Sequence, residues 1–412
     1  MIDTLLDWKD RLLGRGDASI TVPVFDGALK SNNLLEEAAV FTTLEAPEDL
    51  ATDGRSLHVA DGAVVLRYDV STPGAGRDAT ESQRFDRPVT ALACLRAGGL
   101  AVALGGREVR IVGGPHDGRR WDVIGGAKLN AVNAIGVAPD GRLLVTDGSL
   151  EHPVDHWRHD LMGLGRSGRL LELHPASGES RVLAAGLAHA FGASAAGAET
   201  WVSESWAHRV RACGGGKRGR AVTDSLPGYP SRISPAAGGG FWLTCFTLRT
   251  QLVEFVLREH AYRKRMLAEI EPQHWIAPAL NSGNTFLEPM QGAQLKMMGV
   301  VKPWAPPRSY GLVIRLTEQG LVRYSLHSRF DGKHHGGGVR VAAEALRNAG
   351  AGQRAGALAG PTQPRGLCRL AGDPCRALRG VAGWRRDLTY ALRARDNATA
   401  DSSIGVQATT AT

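Results

Sequence analysis

The sequence predicts an all-β fold, a six-bladed β-propeller whose sixth blade is incomplete or aberrant, and three observations carry that prediction. Short apolar runs separated by polar turns recur roughly every 35 to 50 residues between Ala46 and Gly336. The 52 glycines and 20 prolines fall mostly at the reversals, where tight turns use them and long helices would not. The stretch Gly168 to Trp242 writes the repeat most fully, as GRLLELHPASGESRVL, HAFGASAAGAETWVSESWAHRV and LPGYPSRISPAAGGGFW.

The elements follow in order. Residues 1–44 form a lead-in, with a short amphipathic helix at Asp3 to Leu13 and a β-like run at Ser19 to Phe25. The propeller occupies residues 45–336. Its first unit, Ala46 to Asp69, has DG turns at Asp53-Gly54 and Asp61-Gly62 between strand-like runs. The second, Pro88 to Gly114, has the same rhythm. The third starts at Asn130, is interrupted by the polar insertion EHPVDHWRHDLMGLGR, and resumes at Gly168. The fourth starts at His189. The fifth opens with GYPSRISPAAGGGFWLTCF and carries an insertion from Val256 to Arg308, in which EFVLREHAYRKRMLAEI has the apolar spacing of a surface helix. A sixth unit is required for closure, since an open ring leaves sheet edges unpaired. It should begin near SRFDGKHHG. From Gly337 to Thr412 the chain instead turns rich in Arg, Ala, Gly and Pro without strand alternation, as a disordered extension or an altered reading frame in GC-rich coding sequence would.

Charge and composition exclude several function classes. The net charge of +8 is concentrated in the tail, where eleven arginines face five acids, so the main body has no basic face for nucleic acid. The opening MIDTLLDWKDRLLGRGD interrupts its apolar positions with charge and reads as neither a signal nor a membrane anchor. Five cysteines, an odd number at irregular spacing without a CxxC pair, read as reduced thiols of a cytoplasmic protein rather than as a zinc site or disulfide framework.

GRLLELHPASGESRVLAAGL, ETWVSESWAHRV and LPGYPSRI together resemble the strictosidine synthase-like family over roughly Ala46 to Gly336. That family is similar to the senescence marker protein/gluconolactonase group and the paraoxonases, all six-bladed propellers. The resemblance implies one pocket at a mouth of the central channel, lined by the starts of the innermost strands. In the lactonase relatives calcium is held there by Glu, Asn and Asp, polarising an ester or lactone carbonyl. Glu48 and Asn133 match two of those metal positions, and Asp147 offers a further oxygen. Two positions depart: Phe191 stands where the FANG pattern has Asn, and PDN appears as Pro230-Ser231-Arg232. An incomplete calcium set is thus expected, with Arg232 and Phe191 beside Asp147 as substrate-binding candidates, Arg232 for a carboxylate or phosphate. The plant synthases' acid/base Glu has no counterpart in RFDGKHHG, so strictosidine formation is not expected. His334 and His335 stand there as candidate general bases, with Glu204 of SESW as a candidate carboxylate.

Each candidate also has a structural reading. Glu48 and Asp49 can satisfy turn amides, Asp147 a DG turn, Glu204 a bond to Trp206, His208 or Arg209, and Arg232 an acid of a neighbouring blade. His152, His156, His159, Asp155 and Asp160 match no metal spacing and read as a solvated loop at the pocket rim. Trp201, Trp206 and Trp242 read as inter-blade packing. The resulting expectation is a hydrolase of a small ester or lactone with a small-molecule substrate. The alternative is a non-catalytic propeller that binds a small metabolite or a protein partner.

Overall fold

In the computed structural model of the chain, the described residues are 22–35, 40–44, 47–71, 78–214, 219–236, 238–278, 295–297, 300–302, 311–328, 339–342, 354–359 and 366–372. They form a β-propeller. Five sheets are antiparallel meanders of four strands, each running from the channel outward. Their innermost strands are Pro47–Thr52, Val89–Cys94, Val132–Val137, Ala190–Ala196 and Gly228–Pro235.

The turns obey local chemistry. The Asp53 carboxylate accepts the amides of Arg55 and Ser56 at 2.8 and 2.7 Å, while Gly54 and Gly62 take positive φ of 91° and 58° at the two DG reversals. Burial falls from channel to rim: Leu100–Leu104, a second strand, is wholly buried, and Thr80–Arg84, an outermost one, is wholly exposed. The apolar residues between lie in layers shared by neighbouring sheets. Ala51, Ala60 and Val65 pack on Val89, Val102 and Leu104 between blades one and two, and Trp201 meets Phe241 at 4.5 Å between blades four and five. A blade therefore cannot bury its faces alone.

The sixth sheet is built differently, and it bears out the aberrant sixth blade. Backbone segments Val339–Ala342, Arg354–Ala359 and Gly366–Gly372 lie in order from the inside, and Val40–Leu44 pairs antiparallel with Gly366–Gly372 as the outermost strand. A strand that precedes the first blade thus shares a sheet with strands that follow the fifth. In the lead-in, Val22 to Phe25 is without strand, unlike the β-like run expected there. Leu35 of the same segment is buried against Trp242, Val313 and Leu326 of the fifth blade.

One irregularity recurs. In all five of these blades the pairing register shifts between the first and third residues of the innermost strand, at Pro47/Asp49, Val89/Ala91, Val132/Ala134, Ala190/Gly192 and Gly228/Pro230. Such a bulge drops one residue from the ladder and re-aims it. The dropped residues are Glu48, Thr90, Asn133, Phe191 and Tyr229. The fifth blade shifts a second time between Pro230 and Ile233, around Ser231 and Arg232.

The two insertions fold over the mouth. EHPVDHWRHD, expected as a solvated loop, is a 3-10 turn Val154–His156 followed by α1 (Trp157–Gly163), with Asp160, Leu161 and Met162 buried. The fifth-blade insertion forms two helices where one was expected, α2 (Gln251–Arg258) and α3 (His260–Glu269), divided at Glu259. Thr250 caps α2 by accepting the Val253 amide at 3.3 Å. Leu161 and Met162 of α1 join Val256 of α2, Met266 of α3, Trp275, Phe191, Tyr229 and Phe246 in one cluster, so these helices are a cap rather than surface decoration. Among the described residues no helix is long and apolar enough to cross a membrane.

Candidate functional site: the channel axis and its rim

The axis is organised by one guanidinium. Arg232 Nε stands 2.9 Å from Asp49 Oδ1, and its terminal nitrogen is 3.8 Å from Glu48 Oε1. The same nitrogen donates to the carbonyls of Thr90 and Asn133 at 3.1 and 2.9 Å. The guanidinium carbon lies 5.4 Å from the centre of the Phe191 ring. A side chain of the fifth blade thereby touches the innermost strands of the other four described blades, at or beside their bulges. The Nε contact with Asp49 is a close ion pair whose angle falls short of a hydrogen bond. Asp49 also accepts the amides of Leu50 and Leu92 at 2.9 and 2.8 Å. Burial pushes its carboxyl up from the ordinary 3.8 to about 6 against the opposing pull of Arg232. A cavity of about 40 Å³ beside Asp49 and Arg232 holds no more than a water or two.

Calcium does not fit these residues as they stand. A guanidinium already stands between the acids, and Asn133 has its amide committed: Oδ1 accepts Thr146 Oγ1 at 2.8 Å and Nδ2 donates to the Ala190 carbonyl at 2.9 Å. Among the described residues no group of three or more His, Cys, Asp or Glu side chains could hold a metal ion.

Of the other sequence-predicted residues, Asp147 and Glu204 are engaged apart from this hub. Asp147 is fully buried, accepts the Ala131 amide at 2.7 Å and pairs with Arg169 at 2.5 Å. Burial raises its carboxyl despite Arg169. Glu204 pairs with Arg209 at 2.7 Å and accepts the Ala188 amide at 3.2 Å, which is its structural reading. Phe191 lines both hub and cap, 5.5 Å from Phe246. His334 and His335 lie outside the described residues.

At the rim the structure assembles a group that sequence reasoning missed. His189, at the entry to the fourth blade, has a left-handed φ of 59°, which a non-glycine residue adopts at a cost. Its Nδ1 meets Asp160 Oδ2 at 3.3 Å and its ring stacks on Trp206 at 4.2 Å. Asp160 also accepts Trp206 Nε1 at 2.6 Å and Ser149 Oγ at 2.7 Å. Burial pushes the Asp160 carboxyl up, but His189, Ser149 and Trp206 outweigh it and hold the carboxyl below its usual range. An ionised Asp160 orients Nδ1 as the donor and leaves Nε2, which has no hydrogen-bond partner among the described residues, as the basic nitrogen. Two glycines leave room for this. A Cβ on Gly165 would stand 2.2 Å from Asp160 Oδ1, and one on Gly148 would stand 2.8 Å from His189 Cε1. The only trace in the sequence was AHAFG, where His189 and Phe191 stand in the departing FANG motif.

No family model matches the sequence. The chain is 28% identical over 215 residues to the adipocyte plasma membrane-associated protein of Homo sapiens, covering 50% of this chain and 45% of that protein. The protein of the same name from Gallus gallus is 26% identical over 343 residues, 74% of this chain and 73% of that one. The chain is related to the strictosidine synthase-like propellers. It spans about half the length of the human and mouse relatives it matches. Among solved structures, a gluconolactonase from Xanthomonas campestris has 15% identity and a TM-score of 0.47, covering 80% of this chain and 87% of that one. A calcium-binding regucalcin from Agrobacterium tumefaciens has 11% identity and a TM-score of 0.46, covering 81% and 94%. At that distance nothing about chemistry follows for this chain.

Proposed function

We propose that the chain is a hydrolase of a small ester or lactone, acting under the helical cap at the mouth of the central channel. The observation that supports this reading is the His189–Asp160 pair. A buried carboxylate on Nδ1 leaves Nε2 to take a proton from water as that water adds to the carbonyl carbon. Nε2 then returns the proton to the departing alkoxide, so ester and water become acid and alcohol, with Asp160 stabilising the imidazolium between the two steps. The aromatic cap, with Trp157, Trp206, Phe191 and Phe246, supplies apolar surface for the acyl or alcohol part. Arg232 is engaged by Asp49, Glu48 and two carbonyls, so it serves the frame rather than an anionic substrate.

The test is turnover of a panel of aryl esters and lactones by the full chain, with His189→Gln and Asp160→Asn beside it. Saturable turnover that both substitutions depress supports the hydrolase, and turnover indifferent to both removes it. The second reading, a propeller that binds a small metabolite without turning it over, is favoured by the exposure of His189, only 4%. Thermal stabilisation by an ester or lactone that is not consumed would select it.

A further inference from the structure

The Arg232 contacts describe a cation site whose cation is covalently attached. Four oxygen groups converge on the guanidinium from three strands: the carboxylates of Asp49 and Glu48 and the carbonyls of Thr90 and Asn133. Both acids and the arginine are more than nine-tenths buried. Two carboxylates in such a place require a positive partner, since a buried charge left unpaired is among the costliest defects a fold can carry. A double bulge in the fifth blade turns Arg232 to the axis, and the small cavity beside Asp49 leaves space for water but not for a ligand.

We infer that Arg232 is the resident cation of the channel, held where a divalent ion would otherwise sit, and that removing its guanidinium uncovers a divalent-cation site. Carboxylate and carbonyl oxygens are the donors a hard cation of the calcium class takes, with water completing its shell. In the intact protein the guanidinium repels any such ion and donates to the carbonyls that would ligate it. The guanidinium therefore takes the cation's place between the two acids without metal. This inference is independent of any turnover, because it concerns how the ring is held.

The experiment measures thermal unfolding of the full chain in chelator and in millimolar calcium chloride, for wild type, Arg232→Asn, Arg232→Lys and the double substitution Asp49→Asn/Arg232→Asn. Wild type and Arg232→Lys should melt at the same temperature in both buffers. Arg232→Asn should lose about 10 °C in chelator and recover most of it in calcium, and the double variant should show no recovery. Calcium stabilisation of the wild type would overturn the inference, and so would an Arg232→Asn protein that melts identically with and without calcium. If Arg232→Asn does not fold in chelator, refolding from denaturant gives the same decision: recovery only with calcium supports the inference, and recovery in neither buffer overturns it.

Discussion

Asp49 at the channel axis and Asp160 at the rim are both almost fully buried, at 3% and 1% exposure, yet their carboxyls shift in opposite directions. Asp49 has one cation and two backbone amides, and its carboxyl is still raised, to about 6. Asp160 has an imidazole, an indole N–H and a hydroxyl, and its carboxyl is lowered. The difference lies in the geometry of the donors. Arg232 divides its forked donors among four oxygen groups and offers Asp49 a poorly aligned contact, whereas three donors from Ser149, His189 and Trp206 converge on Asp160 alone. The axis spends its charge on joining blades. The rim concentrates donors on one carboxylate and leaves a basic nitrogen over.

The comparison breaks most sharply at His189. Replacing it with Gln keeps a side chain on Asp160 but removes the base, and kcat on the best ester or lactone should fall by about 10²–10⁴-fold with the unfolding midpoint changed little. Chemical denaturation tests the axis next. Arg232→Met removes the guanidinium that both acids face and should cost about 3–5 kcal/mol, while a midpoint equal to that of the wild type would show that the hub holds nothing together. The pH dependence of stability should then carry opposite signs at the two aspartates. Because Asp49 binds its proton more tightly folded than unfolded, its contribution is greatest below pH 3.8 and is lost as pH rises through about 6. Asp160 binds its proton less tightly when folded, so its contribution is present above the ordinary 3.8 and is lost as pH falls. Equilibrium unfolding between pH 3 and 8, roughly the span of both transitions, should show Asp49→Asn losing the first slope and Asp160→Asn the second. The smallest effect is steric. Gly165→Ala should cost about 1–3 kcal/mol and disturb the fluorescence of Trp206, and an unperturbed Trp206 signal would mean that Asp160 does not depend on that glycine.

Legibility followed periodicity. The DG turns, the five unit starts and the inter-blade role of Trp201 were readable because each depends on residues close in sequence or repeated at a fixed interval. Trp206 was not, since its partner Asp160 lies in an insertion without period and joins it only when α1 folds over the mouth. The same holds for His189, whose left-handed backbone and aromatic neighbours do not show in a strand-entry histidine. The two-helix form of the fifth-blade insertion was missed because the apolar spacing runs almost unbroken across Glu259, where the backbone leaves the helix.

By itself the sequence determined that repeats of one meander would stack, and that Phe191 and Arg232 would stand where oxygen donors were expected. Only the tertiary structure decided what Arg232 does there. Its partners lie 99 and 142 residues away, at Asn133 and Thr90, and no local rule links them. Ring closure does, because equivalent positions of successive repeats meet at one axis, where a cation substituted in one blade is shared by the oxygens of the others.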